Sequence, residues 1–251
     1  PGDPRAHRTN RGLGLFAVYP AVHSPQHRIA GVLQRHIEIG NNSLGAGDTI
    51  DQLVAEVHRI EVHQPDPVDP AQEFAEPERP LLLDIGCARG RFLLKMASAE
   101  PEQNYLGVEI RQPLVDEANR LAKEAGLQNL HYVFCNAMLW LDRLLADTPH
   151  DVLHTVTIQF PDPWFKKKHA KRRMVNPELV NTVSKYLPSG GRVFIQTDIE
   201  PLAGEMFTQF RGRGLYEELP VGQNPFSVKT EREIAVEAKE LPVHRALFVK
   251  K

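Results

Sequence analysis

The residues best placed to do chemistry lie between Ile158 and Arg173. Asp162 is held between Pro161 and Pro163, the aromatics Trp164 and Phe165 follow at once, and six lysines and arginines then fall within residues 166–173 around His169. Proline fixes φ near −65° and drives the residue before it toward extended backbone, so Asp162 sits in a stiff bracket and points where the chain directs it. A fixed carboxylate, aromatic plates and a cationic ramp suit positioning of a nucleobase and retention of its phosphates. The plainer alternative is a Pro-Asp-Pro turn leading into a solvated charged loop.

A second group of polar residues precedes this one. Asp84-Ile85-Gly86-Cys87-Ala88-Arg89-Gly90 follows an apolar run, and glycines at such a turn let backbone approach a ligand at a helix N-terminus. Glu109 closes the next apolar run, where doubly wound folds place an acid that binds both hydroxyls of an adenosine ribose. Asn136, at the end of a third run, is positioned to reach an adenine edge. Two cofactors compete for this arrangement. A dinucleotide calls for G-x-G-x-x-G, but Ala88 interrupts that pattern and Asp84 would repel a pyrophosphate. S-adenosylmethionine carries a sulfonium and an ammonium, for which Asp84 is an advantage, and it is the favoured reading. The alternative without a ligand is that Asp84 and Glu109 only cap strand ends.

The elements that must position these groups are legible from residue 81 onward. Leu81-Leu82-Leu83-Asp84-Ile85 and Val152–Phe160 are apolar runs of buried, parallel-strand type, with further strands expected over 105–110, 130–135 and 192–197. Helices are expected over 89–99, then one with Leu114, Val115, Ala118, Leu121 and Ala122 on one face that stops at Gly126, over 138–146, from Asn176-Pro177-Glu178 to Leu187, and over 201–211. Two more strands fit near 215–220 and 243–249. Strands alternating with helices predict an α/β fold with a doubly wound, mostly parallel sheet, whose ligands bind at the strands' carboxyl ends. Asp84, Glu109, Asn136, Asp162 and Asp198 all fall at such ends. Upstream, residues 1–63 read as an N-terminal extension with a short helix near 48–58, and 64–80, rich in proline and acids, as a linker before a domain over 81–251.

Composition narrows the function classes. Over 251 residues the net charge is −2, yet residues 166–173 hold six cations and no acid, so the rest of the chain is acidic and one patch is strongly positive. That contrast points to a localised polyanion contact. No apolar stretch is long enough to span a bilayer. Two cysteines, Cys87 and Cys135, cannot form a disulfide framework and favour a reducing compartment, and no metal site is expected from the histidine and cysteine spacing. The first 37 residues carry five arginines against one acid, Asp3, as a basic arm on RNA or the remnant of an organelle-targeting segment would. The expected compartment is therefore the cytoplasm, or an organelle stroma or matrix.

Taken together, these segments resemble the bacterial-type tRNA (guanine-N7-)-methyltransferases. The resemblance rests on Asp84-Ile85-Gly86 with Gly90-Arg91-Phe92, on Gly107 with Glu109-Ile110-Arg111, on Phe134-Cys135-Asn136-Ala137, and on Gln159–Lys167 with His169 and Lys171-Arg172-Arg173. It continues through Gln196, Asp198 and Glu200 to Asn224-Pro225-Phe226 and Thr230-Glu231-Arg232-Glu233, covering about residues 80–249. It implies a Rossmann-like class I S-adenosylmethionine-dependent methyltransferase that forms 7-methylguanosine in the tRNA variable loop. Asp84, Gly86, Gly90, Glu109, Ile110, Asn136 and Ala137 would bind the cofactor, and Asp162 would be the catalytic or guanine-orienting acid. Lys166, Lys168, His169, Lys171, Arg172, Arg173, Asp198 and Thr230, Glu231, Arg232 and Glu233 would meet the substrate. Ala88 departs from the family pattern, in which glycine is usual. A monomer or homodimer is expected, a partner subunit is left open, and the alternative function is a non-catalytic RNA-binding subunit on the same fold.

Overall fold

The computed structural model describes residues 63–166 and 172–251; the expected helix near 48–58, and Lys168, His169 and Lys171, lie outside them. After a short helix α1 (Pro70–Glu73), strands and helices alternate: β1 (Leu81–Ile85), α2 (Arg91–Ala99), β2 (Asn104–Glu109), α3 (Gln112–Glu124), β3 (Leu130–Phe134), α4 (Ala137–Leu144), β4 (Leu153–Gln159), α5 (Pro177–Tyr186), β5 (Arg192–Thr197), α6 (Glu200–Arg211), β6 (Tyr216–Leu219), α7 (Glu231–Glu237) and β7 (His244–Lys250). They build one seven-stranded sheet in the order β3-β2-β1-β4-β5-β7-β6. The first five strands are parallel, whereas β7 runs antiparallel to both β5 and β6. The strand order reverses between β1 and β4, which puts the switch-point crevice beside Asp84 and the end of β4.

β1 explains why the sheet is buried on both sides. Leu81, Leu83 and Ile85 point into one core with α4, α5 and α6, while Leu82 points into the other with α2 and α3. All four are at most 2% exposed, and each such side chain contributes about 1.5–3 kcal/mol when removed from water. The period of two carries Asp84 onto the face of Leu82, at the strand's carboxyl end.

Helix starts follow local chemistry. Asn176 accepts a hydrogen bond from the Leu179 amide at 2.8 Å, Pro177 fills the first position, and Glu178 lies in the first turn. α2 starts at Arg91 rather than Arg89, because Ala88 and Gly90 both adopt positive φ and cannot extend a right-handed helix backward. Within 64–80, expected to act as a linker, Val68 and Phe74 are buried in the core, and the Val68 amide donates to the Leu144 carbonyl at 2.8 Å.

Candidate active site

The site assembles at the carboxyl ends of the parallel strands. At the end of β1, Asp84 is 5% exposed, and one of its oxygens accepts a hydrogen bond from the Thr157 hydroxyl at 2.6 Å. Burial lifts its carboxyl to about 6 against the hydrogen bonds that favour the charged form, and the Glu109 charge adds to the rise. A buried carboxylate with that much to gain from a cation is suited to an ammonium ligand.

The turn after Asp84 is held open by its backbone. Gly86, Ala88 and Gly90 all have positive φ, and at Ala88, with φ 52°, a side chain bears a cost that glycine avoids. From beneath, the buried Tyr132 ring wedges the turn and donates its hydroxyl proton to the Gly90 carbonyl at 2.6 Å. A methyl group on Gly90 would come within 2.6 Å of that ring, so this glycine is required by packing as well as by φ. Met174, on the segment returning from the basic loop, lies 3.2 Å from where a Gly86 methyl would stand. The glycine turn and Met174 are therefore neighbours.

Glu109 ends β2 and is 4% exposed. Its carboxylate accepts from the amides of Ala88 at 2.9 Å, Ile110 at 3.0 Å and Arg111 at 3.1 Å, and from the Arg111 guanidinium at 2.9 and 3.3 Å. Asn136 caps α4 by accepting from the Met138 amide at 3.2 Å, which directs its amide nitrogen away from the helix, and Ala137 opens that helix. Ile110, 38% exposed, completes the apolar part of this end. These groups match the chemistry of S-adenosylmethionine: an acid for the ammonium, an acid for the ribose hydroxyls, and a polar helix start beside apolar surface for the adenine.

Asp162 leaves the end of β4 on strained backbone. Phe160 and Trp164, on either side of the proline bracket, have φ of 50° and 44°, in the left-handed region that bulky residues avoid at a cost of about 1–3 kcal/mol each. Strain of this kind persists where the surroundings hold it, and here the Phe160 amide donates to the Gln196 carbonyl at 2.8 Å. Asp162 is exposed, and its charge reaches the Arg111 guanidinium. The Arg172 guanidinium lies 4.8 Å from the centre of the Trp164 ring. Arg173 donates to the Pro163 carbonyl at 3.2 Å and is paired with Glu205. Both arginines thus tie the far end of the basic loop to the bracket, while Phe165, 75% exposed, and Lys166 face solvent.

The segment 224–233 closes the site from the other side. Phe226 packs edge-on against Phe92 and Phe194, Glu231 pairs with Arg91 at 2.5 Å, and Arg232 pairs with Asp198 at 2.5 Å. Thr230 caps α7 by accepting from the Glu233 amide at 3.1 Å. Glu233 itself is fully buried. Its carboxylate accepts from Gln196 at 3.1 Å, Asn224 at 2.7 Å and Arg245 at 2.8 Å, so this side chain fastens α7 to β5 and β7 and faces the core. Gln196 also donates to Gln159 at 2.8 Å, carrying the network to the end of β4. Sequence reasoning did not name Arg245 or Tyr132, and it gave Gln159, Gln196 and Arg111 no role beyond their place in the resemblance. Gln159, Gln196 and Arg245 come from three different strands and meet through the register that pairs Gln196 with both Gln159 and Arg245, whereas Tyr132 reaches Gly90 from β3 and Arg111 turns back on Glu109.

Comparison with known proteins bears on this geometry. Residues 78–246 match the family described as putative methyltransferase. A tRNA (guanine-N(7)-)-methyltransferase of Synechococcus elongatus is 55% identical over 184 residues, covering 71% of this chain and 85% of that protein. A tRNA (guanine-N(7)-)-methyltransferase of Trichormus variabilis is 50% identical over 186 residues, 72% of this chain and 86% of that one. Among solved structures, the 16S rRNA methyltransferase KamB aligns with a TM-score of 0.52 at 15% identity, over 72% of this chain and 91% of its own, which bears on the fold alone.

Proposed function

The chain belongs to the tRNA (guanine-N7-)-methyltransferase family, and from that premise we propose how its site carries out the reaction. The protein is an S-adenosylmethionine-dependent enzyme that methylates N7 of a guanine in tRNA. The observation that carries the site reading is the convergence of Asp84, Glu109, Asn136 and Asp162 at adjacent strand ends around the switch point. S-adenosylmethionine supplies, when bound, a methyl group activated on a sulfonium. Asp84 would hold the ammonium, Glu109 the ribose hydroxyls, and Asn136, Ala137 and Ile110 the adenine, beside the turn from Gly86 to Gly90.

Guanine N7 already presents a lone pair, so no proton has to be removed before attack. The protein's contribution is then position, a term that reaches several kcal/mol when reacting atoms are pre-aligned. Methylation at N7 would leave positive charge on the purine ring. Asp162, fixed by its prolines, either stabilises that charge or accepts from the N–H edge of the base. Phe165 offers an exposed ring for stacking, worth about 1–3 kcal/mol per base. Trp164 is already covered by Arg172. Lys166, Lys168, His169, Lys171, Arg172 and Arg173 would meet the RNA backbone, and Asp198 with Thr230, Glu231 and Arg232 would border the substrate. N7 lies in the deep major groove of A-form RNA, closed to side chains, so the target guanine is one displaced from helical stacking, as in the variable loop. Every group in this scheme comes from one chain. Among the described residues no helix is long and apolar enough to cross a membrane, and a compartment that holds tRNA, cytoplasm or organelle, fits the proposal.

The test is transfer of labelled methyl from S-adenosylmethionine to unmodified tRNA, followed by nucleoside analysis, for wild type and Asp162→Asn. Labelled 7-methylguanosine from wild type, with a loss of about a hundredfold or more in a folded variant, is the expected outcome. A wild type that binds tRNA and cofactor without transfer would favour a binding subunit, and an active Asp162→Asn would remove Asp162 from the mechanism.

A further inference from the structure

The hydrogen bonds at Glu109 exceed what a carboxylate that must also bind a diol can accommodate. Its two oxygens offer about four lone-pair directions, and five donors already point at them. Three of the five are backbone amides, of Ala88, Ile110 and Arg111, fixed by the glycine turn and the strand end. The other two are the Arg111 guanidinium, which approaches both oxygens in a fork at 2.9 and 3.3 Å. The backbone donors cannot leave without unfolding the turn. The guanidinium can, because the Arg111 side chain is 60% exposed whereas that of Glu109 is 5% exposed. Two ribose hydroxyls would need the two positions that the fork now fills.

A destination for the displaced cation is at hand. Arg111 follows β2 and Asp162 follows β4, the two strands that flank β1, so the exposed Asp162 carboxylate stands at the same end of the sheet, where its charge favours the Arg111 cation. We propose that Arg111 is a positioning residue that occupies the ribose-binding edge of Glu109 in the free enzyme and moves to Asp162 when the cofactor's hydroxyls replace it. Loading of the cofactor and fixing of the carboxylate that meets guanine are then one event, so the base is gripped only when the nucleoside of the cofactor fills its site. This inference rests on the assignment of Glu109 and Asp162 above.

The test is calorimetric titration with S-adenosylhomocysteine, which lacks the sulfonium charge, alongside steady-state methyl transfer to tRNA. Wild type, Arg111→Met, Arg111→Lys, Asp162→Asn and the Arg111→Met/Asp162→Asn pair complete a cycle. Removing an exposed forked ion pair that competes with the ligand should tighten S-adenosylhomocysteine binding by about two- to fivefold in Arg111→Met. The same variant should lose about tenfold or more in kcat, as Asp162 loses its partner. Arg111→Lys keeps the charge without the fork, so its affinity should fall between the two and part of kcat should return. Asp162→Asn should weaken S-adenosylhomocysteine binding where Arg111 is present and leave it unchanged in the Arg111→Met background. That last result separates the exchange from a purely structural role, since a direct or structural effect of Asp162 would persist without Arg111. Weaker binding by Arg111→Met, or an Asp162→Asn effect of equal size in both backgrounds, overturns the exchange while leaving the activity assignment standing. A wild type that does not bind S-adenosylhomocysteine overturns both.

Discussion

Replacing Glu233 with glutamine tests whether this residue belongs to the substrate surface or to the core. The substitution preserves shape and nearly preserves volume, so packing is not the issue. All three side chains that meet the carboxylate are donors: the amides of Gln196 and Asn224 and the guanidinium of Arg245. A glutamine has one acceptor oxygen and one N–H2 group, so whichever way it turns it presents a donor to a donor. It also leaves Arg245, whose side chain is only 10% exposed, without the fully buried member of its pair. Breaking a buried, hydrogen-bonded ion pair from one side costs about 3–5 kcal/mol. Arg245 keeps Glu237 at 3.0 Å, which places the expectation at the lower end, about 3 kcal/mol. For a domain of this size that lowers Tm by about 6–12 °C. The assay is urea denaturation with thermal melting, and Glu237→Gln is the control. Glu237 is more exposed, and its loss should cost clearly less than that of Glu233. A Glu233→Gln variant within about 1 kcal/mol of wild type that no longer binds tRNA would refute the core assignment and return Glu233 to the substrate surface.

Two further expectations follow from the buried groups around the cofactor turn. Burial raises the Asp84 carboxyl from 3.8 to about 6, so between those values the folded protein holds more protons than the unfolded one. Its ligand-free stability therefore falls as pH rises through that window. Asp84→Asn should stabilise the ligand-free protein by about 1–3 kcal/mol at pH 8, with a smaller gain near pH 4.5, and should abolish S-adenosylhomocysteine binding. Denaturation at both pH values checks this, and a variant less stable than wild type at pH 8 contradicts it. Gly107→Ala would put a methyl group 2.4 Å from the Tyr132 ring and 2.9 Å from the Cys87 sulfur. It should cost about 1–3 kcal/mol by overpacking, and Tyr132→Leu in the same chain should recover part of that. A loss below about 0.5 kcal/mol would show that Tyr132 is not wedged as described.

The fold was legible because its strands are short and apolar, and because the residues that end them are polar. Asp84 and Glu109 stand out by that contrast alone, and Asp162 by its two prolines. Glu233 was not legible in the same way. In sequence it is the last of three charged residues after a helix cap and reads as solvent-facing. What buries it are Gln196, Asn224 and Arg245, from 9 to 37 residues away. Residues 64–80 misled for a related reason. Proline reports on backbone shape and is silent on burial, so a segment anchored by Val68 and Phe74 looked like a tether. At α2, the left-handed turn at Ala88 moved the start by two residues, because alanine carries no mark of that conformation.

The antiparallel strand β7 has a consequence for how the molecule is made. It comes last among the described strands, yet it lies inside the sheet, bonded to β5 on one side and β6 on the other. Until residues 244–250 have been synthesised, β5 presents an unpaired edge and β6 has no neighbour in the sheet. Arg245, which completes the bonds around Glu233, is also missing. A nascent chain held short of this point exposes edges prone to pairing with other chains, and α7 lacks the cation that its buried Glu233 pairs with. The protein therefore gains its sheet and its substrate-side closure late and together, so a chain interrupted shortly before His244 should resemble an aggregation-prone intermediate more than a weakened enzyme.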